Sequence, residues 1–419
     1  MARKQAEGEN SGMGSDRAAK RQRLLVADMS VARSSPAGSC VLAEVQGLCE
    51  DFDVQVVSSR LDASETQSLT LGRVVLPERP VLLRYLVFQR LARQRIIAAL
   101  KQKARPVLVQ ATQGQFVGAD VCYAHFCHGA YLAGAWRRSP VRGLRRLGRW
   151  LTHTFNAGRE RAAFARARRI VVPSAGLARE LRAQYEGIGD KIEVIANPVD
   201  VVRFSRPPDF DRSAVRTPFG FTAGQRVLCF MALGDFSRKG LDLVLDAIAG
   251  LAPFARARVG LLVVGGQPSE IEDARRQGRD RGVDVCVRFA GMQSDVRPFL
   301  WCADVYVFPS AYEIFSLAAL QALAAGLPVI VTRGLYGVED YIVEGHNGWF
   351  VERSVDDVRA AIERALAIPD DELRLFSQRA HQSIQHYGVE EFQRRWRAFY
   401  NDLLASLEPA SALPPREKQ

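Results

Sequence analysis

The 419-residue chain has no run of about 18 apolar residues, because Gly and Pro interrupt its longest one, and a membrane-spanning helix is not expected. Cysteine is sparse and odd in number: Cys40, Cys49, Cys122, Cys127, Cys229, Cys286 and Cys302. No pair of them has metal-ligand spacing, which argues against a zinc site and a disulfide framework. Most lie in apolar runs, as buried free thiols do, and fit a reducing cytoplasm. Residues 1–22 carry Gly, Ser and charge around no apolar centre, so they read as a disordered tail rather than a secretory signal. Residues 408–419 read as a second loose tail. Acids are in the minority, 46 against 57 Lys and Arg, for a net charge of +11.

Most of that excess sits in residues 137–169, where eleven arginines face one acid, Glu160. Leu144, Leu147, Trp150 and Leu151 recur there at helical spacing. A basic amphipathic helix of this kind reads as a surface for an anionic membrane; the plainer reading is a solvated face whose apolar residues belong to the core. The segment lacks interleaved aromatics and any recognisable module, so a nucleic-acid partner is not expected.

What the chain does have is alternation. Strands and helices follow one another through both halves, which predicts α/β architecture with two mainly parallel sheets. Strands are expected at Arg23–Met29, Asp53–Ser58, Thr70–Leu76, Pro106–Ala111, Val121–Phe126, Ala167–Pro173 and Lys191–Ala196. They are also expected at Arg226–Met231, Val259–Val264, Asp284–Phe289, Val305–Phe308 and Val329–Val331. The domains read as 23–199 and 226–385, joined by a Pro-containing polar linker at 200–225. A helix over 386–407 carries an apolar stripe of Trp396, Phe399 and Tyr400.

Chemistry concentrates in residues 308–331, FPSAYEIFSLAALQALAAGLPVIV. Ser316 can cap a helix there, Gly326 can close it and Pro328 prevents its continuation. A helix N-terminus facing a crevice suits an anion, phosphate above all. Glu313, just ahead, would instead accept hydrogen bonds from sugar hydroxyls. About 70 residues earlier, Gly234-Asp235-Phe236-Ser237-Arg238-Lys239-Gly240 sets two cations between a strand and a helix, which suits a diphosphate.

These stretches resemble the signature of retaining family 4 glycosyltransferases of GT-B fold, and most closely the lipopolysaccharide core glucosyltransferases. Glu313, Phe315, Ser316, Ala322, Gly326 and Pro328 match; Gln321 stands where that family has a second Glu. Asp120-Val121 followed by His125 resembles the strand that carries a His into the family's cleft, with His128 close behind. Asn197-Pro198-Val199-Asp200 resembles its hinge.

The resemblance implies two Rossmann-like domains facing an interdomain cleft, with the terminal helix crossing back to the first. It implies a donor site of Arg238, Lys239, Gly291, Met292, Glu313, Phe315, Ser316, Leu317 and Gln321. Gly38 of a first loop at Ser30–Ser39 and His125 would complete it from the other side. The expected reaction moves a hexosyl group from a nucleotide-diphosphate sugar, UDP-glucose for preference, to a glycan or lipid-linked hydroxyl, with retention. GDP-mannose as donor, or a binding partner without turnover, is the alternative. No cofactor or metal is expected, since two cations and a helix end take the metal's place. The expected setting is the cytoplasm or the inner membrane face.

Overall fold

The computed structural model describes residues 21–101, 107–134, 136 and 143–407. Both predicted tails, apart from the last two residues of the first, lie outside these residues, as do Arg137, Arg138 and Arg142.

Seven parallel strands form the first sheet: β1 (Gln22–Ala27), β2 (Phe52–Ser58), β3 (Leu69–Arg73), β4 (Val107–Thr112), β5 (Val121–Tyr123), β6 (Arg169–Val172) and β7 (Ile192–Val194). Their order is β3-β2-β1-β4-β5-β6-β7. Six more form the second: β8 (Arg226–Ala232), β9 (Val259–Gly265), β10 (Val287–Gly291), β11 (Val305–Phe308), β12 (Val329–Thr332) and β13 (Gly348–Val351), in the order β10-β9-β8-β11-β12-β13. Every strand of β9, β11 and β12 is buried along its length. Their near-continuous Val, Leu and Ile runs are what a sheet covered by helices on both faces requires. In both sheets the order reverses beside the first strand, between β1 and β4 and between β8 and β11. Ligand crevices in open parallel sheets form there, beyond the carboxyl ends of the strands.

The C-terminal helix, Val389–Leu407, leaves the second half and packs on the first. Trp396, Phe399 and Tyr400 join the core of the first sheet with Phe52, Val54 and Tyr123. Residues 200–225, read as a linker, are folded onto the second sheet. Phe204 and Phe221 enter its core, and Arg212 and Arg216 both bind Asp304. The seven cysteines are free and six are buried.

Two local expectations are corrected. The first loop ends at Ser35, which caps a helix over Pro36–Leu48, so Gly38 lies in a helical first turn and not in a loop. A Cβ at Gly38 would stand 2.0 Å from the Ser30 carbonyl oxygen. This glycine therefore lets the chain approach itself rather than a ligand. The strand expected to end near His125 stops at Tyr123, and His125 lies two residues beyond it, in a bend.

Candidate active site

The loops after β8 and β11 meet at the reversal point of the second sheet. After β8, Asp235 adopts the left-handed region (φ 60°) and opens a single helical turn, Phe236–Lys239. Gly240 ends that turn at φ 87°, where an added Cβ would stand 2.3 Å from the Pro309 carbonyl oxygen. Only glycine allows this approach, and it presses the Arg-Lys turn against the loop that follows β11. Two backbone bonds lace that loop in place: Ala311 N–H donates to Arg238 O (2.8 Å) and Tyr336 N–H to Glu313 O (3.2 Å). The helix Leu317–Ala324 then starts as expected, Ser316 Oγ accepting from Ala319 N–H at 3.3 Å.

Glu313 is the hub. Lys239 Nζ donates to its Oε1, Ser310 Oγ donates to the same oxygen at 2.8 Å, and Arg238 Nη1 lies 3.7 Å away. Arg238 also donates through Nε to Asp235 (2.8 Å) and through Nη1 to the Tyr312 carbonyl (2.9 Å). Burial alone would lower the Arg238 pKa, but Glu313 and Asp235 outweigh it and hold it above the ordinary value. Lys239 goes the other way: burial lowers its pKa despite Glu313. Its ammonium also sits 5.0 Å from the centre of the Phe308 ring, an added attraction for the cation.

A cleft of about 940 Å³ opens between the two sheets. Arg238, Glu313, Phe315 and Leu317 line it from one side, and His125, Phe126, Tyr131, Arg149 and His153 from the other. Lys239 stands one step behind, beneath Glu313. Ser316 is buried as a cap, and Phe315 turns its ring onto Tyr341 and Tyr387. Gln321 lies one turn after Leu317 on the same helix face. Gly291 ends β10 and exposed Met292 follows it, two strands from β8, roughly 10 Å along the same rim. Gly38 does not line the cleft.

His125 Nε2 is buried and has no hydrogen-bond partner among the described residues. Burial pulls its pKa down to about 3, so at neutral pH the ring is uncharged. A buried, unpartnered ring nitrogen at a cleft wall is suited to bonding a ligand hydroxyl.

The sequence reading missed much of the opposite wall. His128 and His153 face each other, Nδ1 to Nδ1, at 2.8 Å. Behind them the fully buried Glu160 accepts from His128 N–H and Tyr185 O–H, both at 2.9 Å. Beside the cleft, Tyr312 O–H donates across to Glu180 (3.1 Å), and Ser174 O–H to the Ile314 carbonyl (2.8 Å). Glu160 was visible only as the single acid of an arginine run, and nothing in its spacing shows these partners. The helix Gly143–Arg166 turns Gly148, Arg149, Thr152 and His153 to the cleft. Of its apolar stripe, Leu144, Leu147 and Trp150 stay outside at 88, 53 and 43% exposure and are not core, whereas Leu151, 45% exposed, lines the cleft beside Arg149.

Burial raises the Glu160 pKa from an ordinary 4.5 to about 8, against the pull of its hydrogen bonds. A proton held more tightly in the folded state favours folding fully below pH 4.5, and that contribution fades as pH rises to 8. The Glu160→Gln protein should therefore lose less stability than wild type between pH 4.5 and 8, as read from urea midpoints. Parallel curves for the two proteins would refute the assignment.

Two family models match the chain: "Glycosyltransferase Family 4" over residues 37–203 and "Glycosyl transferases group 1" over 224–367. Among curated relatives, the lipopolysaccharide core biosynthesis glycosyltransferase LpsE of Rhizobium meliloti is 33% identical over 167 residues, 39% of this chain and 45% of that protein. The core biosynthesis mannosyltransferase LpsB of the same organism is 26% identical over 219 residues, covering 50% and 61%. The chain thus spans about half the length of the curated relatives it matches. Similar folds include WaaG, a glycosyltransferase of lipopolysaccharide biosynthesis, with TM-score 0.71, 18% identity and coverage of 89% of this chain and 98% of that one. Anabaena HepE, solved with UDP-glucose, superposes with TM-score 0.66 at 17% identity, covering 92% of this chain and all of HepE. Both share the GT-B arrangement of two facing parallel sheets.

Proposed function

We propose that the chain, whose two halves match the family 4 and group 1 glycosyltransferase models, is a GT-B glycosyltransferase that transfers a hexosyl group from a nucleotide-diphosphate sugar to a hydroxyl of a cell-envelope glycan or glycolipid. The observation that carries this reading is the convergence of Arg238, Lys239 and the Ser316-capped helix on Glu313 at the strand-order reversal of the second sheet. As the glycosidic bond breaks, the leaving diphosphate gathers negative charge. Fixed cations and free helix amides stabilise such charge without reorganising. Glu313 accepts from hydroxyls of the transferred sugar, and neutral His125 bonds donor or acceptor from the facing wall. Gln321 meets the ribose, and backbone at Gly291–Met292 lies along the base. In this reading no metal takes part.

UDP-glucose is the preferred donor, in keeping with HepE, whose solved complexes include UDP-glucose. GDP-mannose is the second, because LpsB is named a mannosyltransferase. Retention of configuration is carried over from the family resemblance. The test is a panel of nucleotide sugars read by thermal stabilisation and by hydrolysis. The true donor at 100 times its Kd adds about 2.7 kcal/mol of stability. A shift with the diphosphate sugar but no turnover with any acceptor would favour a binding partner, and no shift at all would remove the donor site.

Gln321 supplies a finer test. An amide accepts at one atom and donates at the other, whereas a carboxylate accepts at both. Gln321→Glu should keep or lower the donor KM. A large loss of activity would show that residue 321 does not face the ribose.

The exposed Leu144, Leu147 and Trp150 fit an anionic membrane surface, close to the mouth that an acceptor would enter. Among the described residues, no helix is long and apolar enough to cross a membrane. Sedimentation with anionic vesicles that weakens with salt supports the surface reading; equal behaviour with neutral vesicles counts against it.

A further inference from the structure

A second pocket, about 530 Å³, lies at the opposite end of the second sheet. Arg226 opens β8, and Asp304 immediately precedes β11, so this pocket sits at the amino ends of strands whose carboxyl ends carry the Glu313 site. The seven residues of β8 separate the two by roughly 20 Å. Six arginines surround it: Arg206, Arg212, Arg216, Arg226, Arg258 and Arg374.

Among the described residues, two acids line the pocket with them. Asp304 is committed: one oxygen accepts from Arg212 (2.5 Å), the other from Arg216 and from Val227 N–H (both 2.7 Å). Asp370 is exposed at the rim and pairs with Arg226 at 2.9 Å. The carbonyls of Cys302 and Ala303 take further bonds from Arg212 and Arg216. Arg206 and Arg374 make no ion pair or side-chain hydrogen bond among the described residues, and Arg258 has only the face of the Phe254 ring. Arg212 Nε is buried without a partner. Desolvation, with a smaller push from the Arg212 and Arg216 guanidinium groups, lowers the Arg206 pKa, while Asp304 pulls the other way.

We propose that this pocket binds a compact anion bearing two or more phosphate groups. Guanidinium forks match phosphate oxygens two at a time, and the free donors here outnumber the free acceptors. A multiply charged phosphate brings only acceptors, relieves the repulsion among the arginines and fits the volume. A neutral sugar would find too few acceptors for its hydroxyls. The site is separate from the proposed donor site and does not depend on the transferase reading.

The test is calorimetric titration of the full chain with tripolyphosphate. Binding is expected to survive Lys239→Ala, which removes one cation of the proposed donor site, and to weaken at least tenfold in R206Q/R374Q. Without ligand, that double variant should melt no lower than wild type, because it sheds like charges. Should it fail to fold, the exposed single variant R258Q carries the same test with at least a threefold loss. Equal affinity in the pocket variants, loss of all binding in Lys239→Ala, or displacement by sulfate at matched ionic strength (an adventitious ion only) would overturn the proposal.

Discussion

Lys239→Ala is expected to lower turnover at least tenfold, and by about 3–4 kcal/mol of barrier if it matches the deletion of a preorganised donor. The ammonium is half of a fixed pair. It reaches Glu313 over the Phe308 ring, while Arg238 holds the same carboxylate from the cleft side. In the proposed reaction, removing it withdraws charge where the leaving diphosphate would build it. Glu313 is not orphaned by the change, since Ser310 and Arg238 remain beside it. The fold should therefore survive and the loss should be chemical. An interaction that strengthens in the transition state shows in kcat more than in KM. Steady-state kinetics with saturating donor checks this. A near wild-type kcat would remove Lys239 from the reaction.

The second large effect concerns stability. Trp396→Ala should lower the unfolding free energy by about 3–5 kcal/mol. Trp396 is fully buried on the helix that crosses back to the first sheet, with ring centres of Tyr123 at 4.9 Å, Phe399 at 5.5 Å and Tyr400 at 5.8 Å. The same helix is bound to Pro36–Leu48, where Gln393 donates to the Ala43 carbonyl at 2.9 Å. Tyr123 in turn touches the His125 ring at 4.0 Å, so a cavity at Trp396 would also loosen the cleft wall. Urea unfolding should show a lower midpoint, and activity at permissive temperature should fall with it. A cost below about 1 kcal/mol would mean that the crossing helix is not held by this residue.

The sequence made one side of the site readable and left the other dark, for a physical reason. The Arg238-Lys239 turn, the Ser316 cap and Gly326 are local devices: each needs only neighbours within a few residues, and each is found where the pattern predicts. The facing wall is made of long-range pairs. His128 meets His153 across a helix start, Glu180 meets Tyr312 across the two halves, and Trp396 reaches Tyr123 from the far end of the chain. No spacing rule links residues 132 or 273 positions apart. Gly38 shows the converse error. A small residue near a strand end has a ligand-facing reading and a packing reading, and the 2.0 Å approach to Ser30 selects the second. The arginines around Asp304 escaped notice because they are scattered over five separate stretches, so no run of charge marks them.

In the proposed site, Arg238, Lys239 and the helix amides near Ser316 together hold a diphosphate. Calorimetric titration of uridine diphosphate against uridine monophosphate, on wild type and on Arg238→Ala, tests it most directly. The diphosphate should bind at least tenfold more tightly than the monophosphate to wild type, and the variant should erase that advantage. Equal affinity for the two nucleotides, or an advantage untouched by Arg238→Ala, would contradict it.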